Sequence, residues 1–335
     1  MTVGPRTHPL VVAHRGASGY RPEHTRAAYE LAISQGVDAV EPDIVATSDG
    51  VLVVRHENEI SGTTDVAAHL EFADRRTAKM IDGSKLTGWF TEDFSWAELA
   101  SLRTTERIPK IRRHNTAFSG QQGILRLTDL FDLLDGADRG VGMVAEIKHA
   151  SYFDSIGLPL DELFAAELTA AGWDDDARLT IESFEPTVLG RIRERGIRGD
   201  LVFLLEATGA PADRVAVEGA AAMRYPAYLS TNELARLATA VDGISVDKDL
   251  LLRTDSAGNL IGVTDLVERA HSAGLSIFCW TLRAENKFLA RNLRSGSSAG
   301  AFGDWMTEFQ LIMRSGVDGV FTDQPDLALE ARRSL

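Results

Sequence analysis

The stretch Ala39-Val40-Glu41-Pro42-Asp43-Ile44-Val45-Ala46-Thr47-Ser48-Asp49-Gly50-Val51-Leu52-Val53-Val54-Arg55-His56 holds two apolar runs separated only by Ala46 to Gly50. That gap is too short for a right-handed crossover between parallel strands, and Ser48-Asp49-Gly50 is a turn signal. The second run therefore folds back on the first as a hairpin, returning His56 to the level of Asp43. Working outward, comparable runs rich in Val, Ile and Phe lie at Leu10 to Ala13, Met143 to Ile147, Leu179 to Ser183, Leu201 to Leu205, Gly243 to Val246, Leu275 to Trp280 and Gly319 to Thr322. Setting the hairpin's return strand aside leaves eight, the number that closes a (β/α)8 barrel.

Helical spacing fills the gaps. Arg26 to Gln35 carries Ala28, Leu31 and Ala32 behind a Thr25 cap and ends at Gly36. Thr187 to Arg195 and Thr264 to Ala273 likewise end at Gly196 and Gly274, and each precedes an apolar run. This alternation predicts an α/β fold, a TIM barrel in one domain over 1–335. Two connections exceed one helix. Glu57 to Gly142 includes a helix near Thr128 to Leu134, preceded by a charged, aromatic excursion that predicts an inserted lobe over the barrel mouth, 57–122. Arg283 to Ser315 is the second, with a helix around Trp305 to Met313.

With 335 residues, 44% of them hydrophobic and 25% charged, the chain can bury a full core. A net charge of −14 argues against nucleic acid or an anionic membrane surface as the main partner. An anionic substrate then needs a local positive site. The lone Cys279 lies in an apolar run and reads as a buried structural thiol. Met1 to Leu10 lacks the basic and apolar regions of a signal peptide, and no run approaches membrane-spanning length, which predicts a cytoplasmic protein without stable membrane insertion.

Chemistry gathers at the strand ends. Glu41 and Asp43 are two apart, so on an extended strand they share a face toward the barrel mouth. Adjacent carboxylates repel unless a cation lies between them, and oxygen donors without Cys clusters favour Ca²⁺, with Mg²⁺ as the alternative, over zinc. Glu146 and Lys148 repeat the spacing on the next barrel strand, offering a third metal oxygen and a phosphate contact. His14, Arg15 and His56 complete an inventory suited to phosphate ester cleavage with a metal. Each residue alone has an ordinary structural reading, but so many at strand C-ends favour a site. Trp280 and the Ser183-Phe184 pair are candidate pocket walls. Asp318 and Asp323 flank the last run and read as turn residues. No Gly-x-Ser-x-Gly elbow, Walker loop or dinucleotide fingerprint is present.

The segments His14-Arg15-Gly16-Ala17-Ser18-Gly19-Tyr20, Pro22-Glu23-His24-Thr25, Glu41-Pro42-Asp43, Thr47-Ser48-Asp49-Gly50, Val53-Val54-Arg55-His56, Glu146-Ile147-Lys148 and Gly316-Val317-Asp318-Gly319-Val320-Phe321-Thr322-Asp323 resemble the glycerophosphodiester phosphodiesterase family. The match runs in order over nearly the whole chain, and the segment after His56 resembles the longer, calcium-dependent bacterial type, many of whose members are exported. The resemblance implies a phospholipase-C-like barrel with His14 and His56 as the acid–base pair. It also implies Glu41, Asp43 and Glu146 as metal ligands, with Arg15 and Lys148 on phosphate. The implied reaction yields glycerol 3-phosphate and an alcohol. Two positions depart from the family pattern: Glu57 stands where Asp follows the second histidine, and Gly62 stands where many members carry Arg before Thr63-Thr64. Two other readings remain open in the sequence. One is a lysophospholipase D or other phosphodiesterase acting on a longer substrate, with Trp89, Phe90 and Phe94 walling an apolar groove beside the metal. The other is a non-catalytic phosphodiester-binding barrel.

Overall fold

A computed structural model describes residues 8–335. Residues 1–7, on which most of the leader reading rests, lie outside the described residues. The strands are β1 (Leu10–His14), β2 (Ala39–Glu41), β3 (Asp43–Ala46), β4 (Leu52–Val54), β5 (Thr77–Ile81), β6 (Ser84–Gly88), β7 (Gly142–Ile147), β8 (Leu179–Ser183), β9 (Asp200–Leu205), β10 (Gly243–Asp247), β11 (Leu252–Thr254), β12 (Leu260–Val263), β13 (Ser276–Leu282) and β14 (Gly319–Thr322).

The apolar run from Ala39 is split at Pro42, which has no N–H to give the ladder. Its carbonyl still accepts from Glu146 N at 2.9 Å, so β2 and β3 occupy one barrel position, and both pair in parallel with β7. The barrel closes in the order β1, β2/β3, β7, β8, β9, β10, β13, β14 and back to β1, all parallel. As the short Ala46 to Gly50 link requires, β4 returns antiparallel to β3, with Ile44 opposite Val54. Helices flank the strands. Arg26–Gln35 starts where Thr25 Oγ1 accepts from Ala28 N at 3.2 Å and stops at Gly36, whose φ is 95°. Pro186–Glu194, Leu266–Ser272 and Trp305–Arg314 fall within two residues of the spans read from periodicity.

Val12, Ala39, Val144, Val202, Phe278 and Phe321 form an apolar cluster of their own, apart from the larger cluster that joins strands to helices. Side chains alternate along a strand, so the residue two positions on points the same way. Those residues are His14, Glu41, Glu146, Leu204, Trp280 and Asp323. The apolar plug thus ends one layer below a polar layer at the strand C-ends.

Segment 57–122 contains the β5–β6 hairpin and several short helical turns, with Trp89, Phe94, Leu99 and Leu102 belonging to the same apolar cluster as the barrel strands and helices. The groove reading of its aromatics is overturned. Trp89, Phe90 and Phe94 are buried, and the Trp89 indole N–H donates to Phe72 O at 2.6 Å. Aromatic rings in a polar connection had to be covered by something: Trp89 and Phe94 join the apolar cluster of the barrel, Phe94 meets Phe72 edge-on, and Lys79 lies over the Phe90 ring. Phe90→Ala is accordingly expected to lower stability by about 3–5 kcal/mol, seen as a lowered urea midpoint. Unchanged stability would place the ring outside the core.

Candidate active site

Strand register sets the polar layer. His14 lies opposite Glu41, Asp43 opposite Glu146, and Glu146 opposite Glu182. The chain turns sharply after β1: Arg15 takes a φ of 61°, and a Cβ on Gly16 would meet Ala28 C at 2.7 Å. Only glycine permits that approach, which brings the first helix under the site and lets Arg15 N donate to Glu41 Oε2 at 2.8 Å.

Glu41, Asp43 and Glu146 are buried, and each offers an oxygen within 4.8 Å of the others. Burial and the neighbouring Asp43 charge push the Glu41 carboxyl well above its ordinary value. Burial raises Glu146 as well, against the opposing pull of Lys148. Asp43 goes the other way. Burial alone would raise it, but the charges of His56, Lys148 and Arg15 and the His24 hydrogen bond hold it well below the usual carboxylate range. Arg15 Nε lies 3.4 Å from Asp43 Oδ2, and Lys148 Nζ lies 2.7 Å from Glu146 Oε1. Three buried carboxylates in this space repel, and Asp43 Oδ1 accepts no hydrogen bond. Such a set fits a hard divalent cation with oxygen ligands.

A cavity of about 760 Å³ opens over this layer and is lined by His14, Arg15, Glu41, His56, Glu146 and Lys148, with Trp280, Ser183 and Phe184 farther round. Asp43 lies behind its wall. Both histidines are held from behind. His14 Nδ1–H donates to Asp323 Oδ1 at 2.7 Å, and His56 Nδ1–H donates to Glu57 Oε1 at 2.5 Å. In each ring Nε2 then carries the lone pair. Burial, reinforced by Arg15, lowers the His14 pKa to about 4, and burial with Arg15 and Lys148 lowers His56 to about 3. Two neutral imidazoles with carboxylates on Nδ1 can accept or relay protons at Nε2.

The glycerophosphoryl diester phosphodiesterase family model matches residues 14–327. The chain belongs to this family. Among its relatives, the glycerophosphodiester phosphodiesterase GDPD6 of Arabidopsis thaliana is 30% identical over 330 residues, covering 95% of this chain and 84% of the relative. The Haemophilus influenzae glycerophosphodiester phosphodiesterase is 24% identical, with 97% and 90% covered. Solved structures share the fold. A glycerophosphodiester phosphodiesterase of Agrobacterium tumefaciens superposes with a TM-score of 0.57 at 18% identity, covering 96% of this chain and 99% of that one. An Oleispira antarctica phosphodiesterase, solved with its product sn-glycerol-3-phosphate, gives 0.61 at 20% identity, with 97% and 96% covered.

In this member of the family, the departure at Glu57 keeps its hydrogen bond. The longer side chain reaches His56 and is gripped by Arg107 through Nη1 at 2.9 Å and Nη2 at 2.7 Å, while the same guanidinium clamps Glu23. Gly62 is exposed and off the cavity. Asp318 does accept from a backbone N–H, that of Ile277 at 2.8 Å. Asp323 differs from the turn reading: besides His14 it receives Arg112 at 2.5 Å and Arg283 at 2.6 Å. Sequence reasoning also passed over Glu182 and gave His24 no role. Glu182 is buried on the cavity wall beside Glu146, and its position at a strand C-end was the available signal. His24 is fully buried, its Nε2–H donating to Asp43 Oδ2 at 2.7 Å.

Proposed function

We propose that this protein hydrolyses glycerophosphodiesters to glycerol 3-phosphate and an alcohol, using a divalent cation, Ca²⁺ ahead of Mg²⁺, and the His14–His56 pair. The supporting observation is the placement of the buried Glu41, Asp43 and Glu146 set beside two carboxylate-held imidazoles on one cavity. An all-carboxylate protein set suits Ca²⁺, since Mg²⁺ prefers to keep most of its water. When bound, the cation polarises a phosphoryl oxygen and offsets developing negative charge.

The chain's own residues do the rest. Arg15 and Lys148 attract the phosphate and meet the charge that builds on its oxygens. One histidine takes the proton of the attacking hydroxyl, water or the substrate's glycerol 2-hydroxyl, at Nε2. The other acts as the acid only after taking a proton from solvent at Nε2, a charge that the bound phosphate favours; that imidazolium protonates the departing alkoxide, and the two rings exchange states through solvent before the next turnover. Asp323 and Glu57 hold the rings and favour the imidazolium when it forms. Trp280, on β13, walls the pocket beside Phe184. The mouth segment 57–122 contributes Met80, Asp82 and Gly83 to the cavity rather than its aromatic rings.

The test is product identity. Glycerophosphocholine incubated with the protein and Ca²⁺ is expected to give glycerol 3-phosphate and choline in equal amounts, read by a coupled glycerol-3-phosphate assay. Release of glycerol and phosphocholine, or no turnover, contradicts the reading.

A further inference from the structure

The same cavity has a second end that the phosphate chemistry does not use. Past Lys148 its wall becomes aromatic: Lys148 Nζ lies 5.4 Å from the Phe184 ring, which meets Trp280 edge-on at 5.8 Å and Tyr225 at 6.0 Å. The Tyr225 hydroxyl donates to Phe184 O at 3.1 Å, fixing the two rings together. Beyond them stand Glu185, two residues past the end of β8, and Glu206, directly after β9, both on the cavity. Glu185 is only 4% exposed; its Oε2 accepts from Ser151 N at 3.0 Å, and its Oε1 has no partner. Glu206 has neither hydrogen bond nor ion pair among the described residues.

Apart from Lys148 at its phosphate end, whose charge acts on Glu206, the groups around Tyr225 are acidic. Burial raises the Tyr225 phenol, and the charges of Glu206, Glu185, Asp213 and Asp82 all push it further the same way. Asp82 already receives His149, and Asp213 receives backbone N–H groups, so the carboxylates with spare capacity are Glu185 and Glu206. Burying a carboxylate oxygen without a partner is costly, and aromatic faces beside carboxylates form an environment suited to an organic ammonium ion.

We infer that this end of the cavity is a leaving-group subsite selective for cationic alcohols, with Glu185 and Glu206 supplying charge and Phe184, Tyr225 and Trp280 supplying ring faces. The inference rests on the phosphodiesterase reading above and adds the substrate class: diesters whose alcohol carries an ammonium group. Lys148 and Phe184 join the phosphate end to this end, so an ammonium two carbons beyond the ester oxygen enters the acidic region as phosphate docks. Glu185, which burial raises to about 7 without a ligand, ionises more readily beside such a cation.

The test compares glycerophosphocholine with its uncharged 3,3-dimethylbutyl isostere, identical in shape at the head group. Wild type is expected to favour the choline ester in kcat/KM by about tenfold, the scale of a partly desolvated cation–π and charge contact. Glu185→Gln, which can retain the Ser151 hydrogen bond, and Glu206→Gln should each reduce that ratio, with the double variant reducing it most. Calorimetry with free choline and with 3,3-dimethylbutanol gives a readout independent of turnover, and only choline should bind. A ratio near one in wild type, or equal binding of the two alcohols, overturns the subsite. So does a ratio unchanged in the double variant. Choline binding by a protein that cleaves neither ester would refute the catalytic reading while leaving the subsite supported.

Discussion

Replacing His14 or His56 by alanine is expected to lower kcat by about 10²- to 10⁴-fold while the fold persists, the usual contribution of a positioned proton carrier. Each imidazole is held through Nδ1 by a carboxylate and lines the same cavity, so each loss removes one proton transfer and leaves the carboxylate set in place. Steady-state kinetics on glycerophosphocholine check this, with circular dichroism to confirm folding. A near wild-type rate in either variant removes that histidine from the chemistry.

The same residues predict a pH dependence of stability. His14 titrates near 6.5 when unfolded and at about 4 when folded, because burial and Arg15 disfavour its charge. The unfolded chain therefore takes up the proton first as pH falls. Stability from the neutral ring is complete above about pH 6.5 and is lost progressively toward pH 4. The non-titrating variant His14→Gln lacks this loss, so the stability difference between wild type and variant should shrink by about 3 kcal/mol across that range. Urea unfolding at several pH values measures it. A difference that grows on acidification would mean that His14 is charged in the folded protein.

What the sequence made legible was local. Two-residue spacing placed Glu41 with Asp43, and a five-residue link forced β4 back on β3, so neither required knowledge of distant contacts. The split at Pro42 was also readable, although the apolar run concealed it. What stayed hidden depends on contacts between remote segments. Asp323 meets His14 across 309 positions, and Arg107 joins Glu57 to Glu23 across 50 and 84, from a connection with no periodicity to fix its path. The misreading of Trp89, Phe90 and Phe94 has the same origin. Aromatic residues in an irregular loop satisfy either a pocket wall or a small core, and only distant packing decides, against Phe72 and the barrel for Trp89 and Phe94 and under Lys79 for Phe90.

The metal carries the second large effect. Chelation is expected to abolish hydrolysis, because without a cation the buried Glu41, Asp43 and Glu146 charges repel one another and the phosphate. Restoring the ion at a hundredfold excess over Kd should raise stability by about 2.7 kcal/mol through mass action. Asp43→Asn should weaken ion binding and activity together, as should Glu41→Gln and Glu146→Gln. Titrating the chelator-stripped protein with Ca²⁺, following binding heat and glycerol 3-phosphate release in parallel, tests the account most directly. It predicts that activity rises with occupancy of one ion per chain and that Asp43→Asn shows neither the heat nor the rate. Full turnover by the stripped protein, or an Asp43→Asn variant that binds Ca²⁺ and works like wild type, would contradict it.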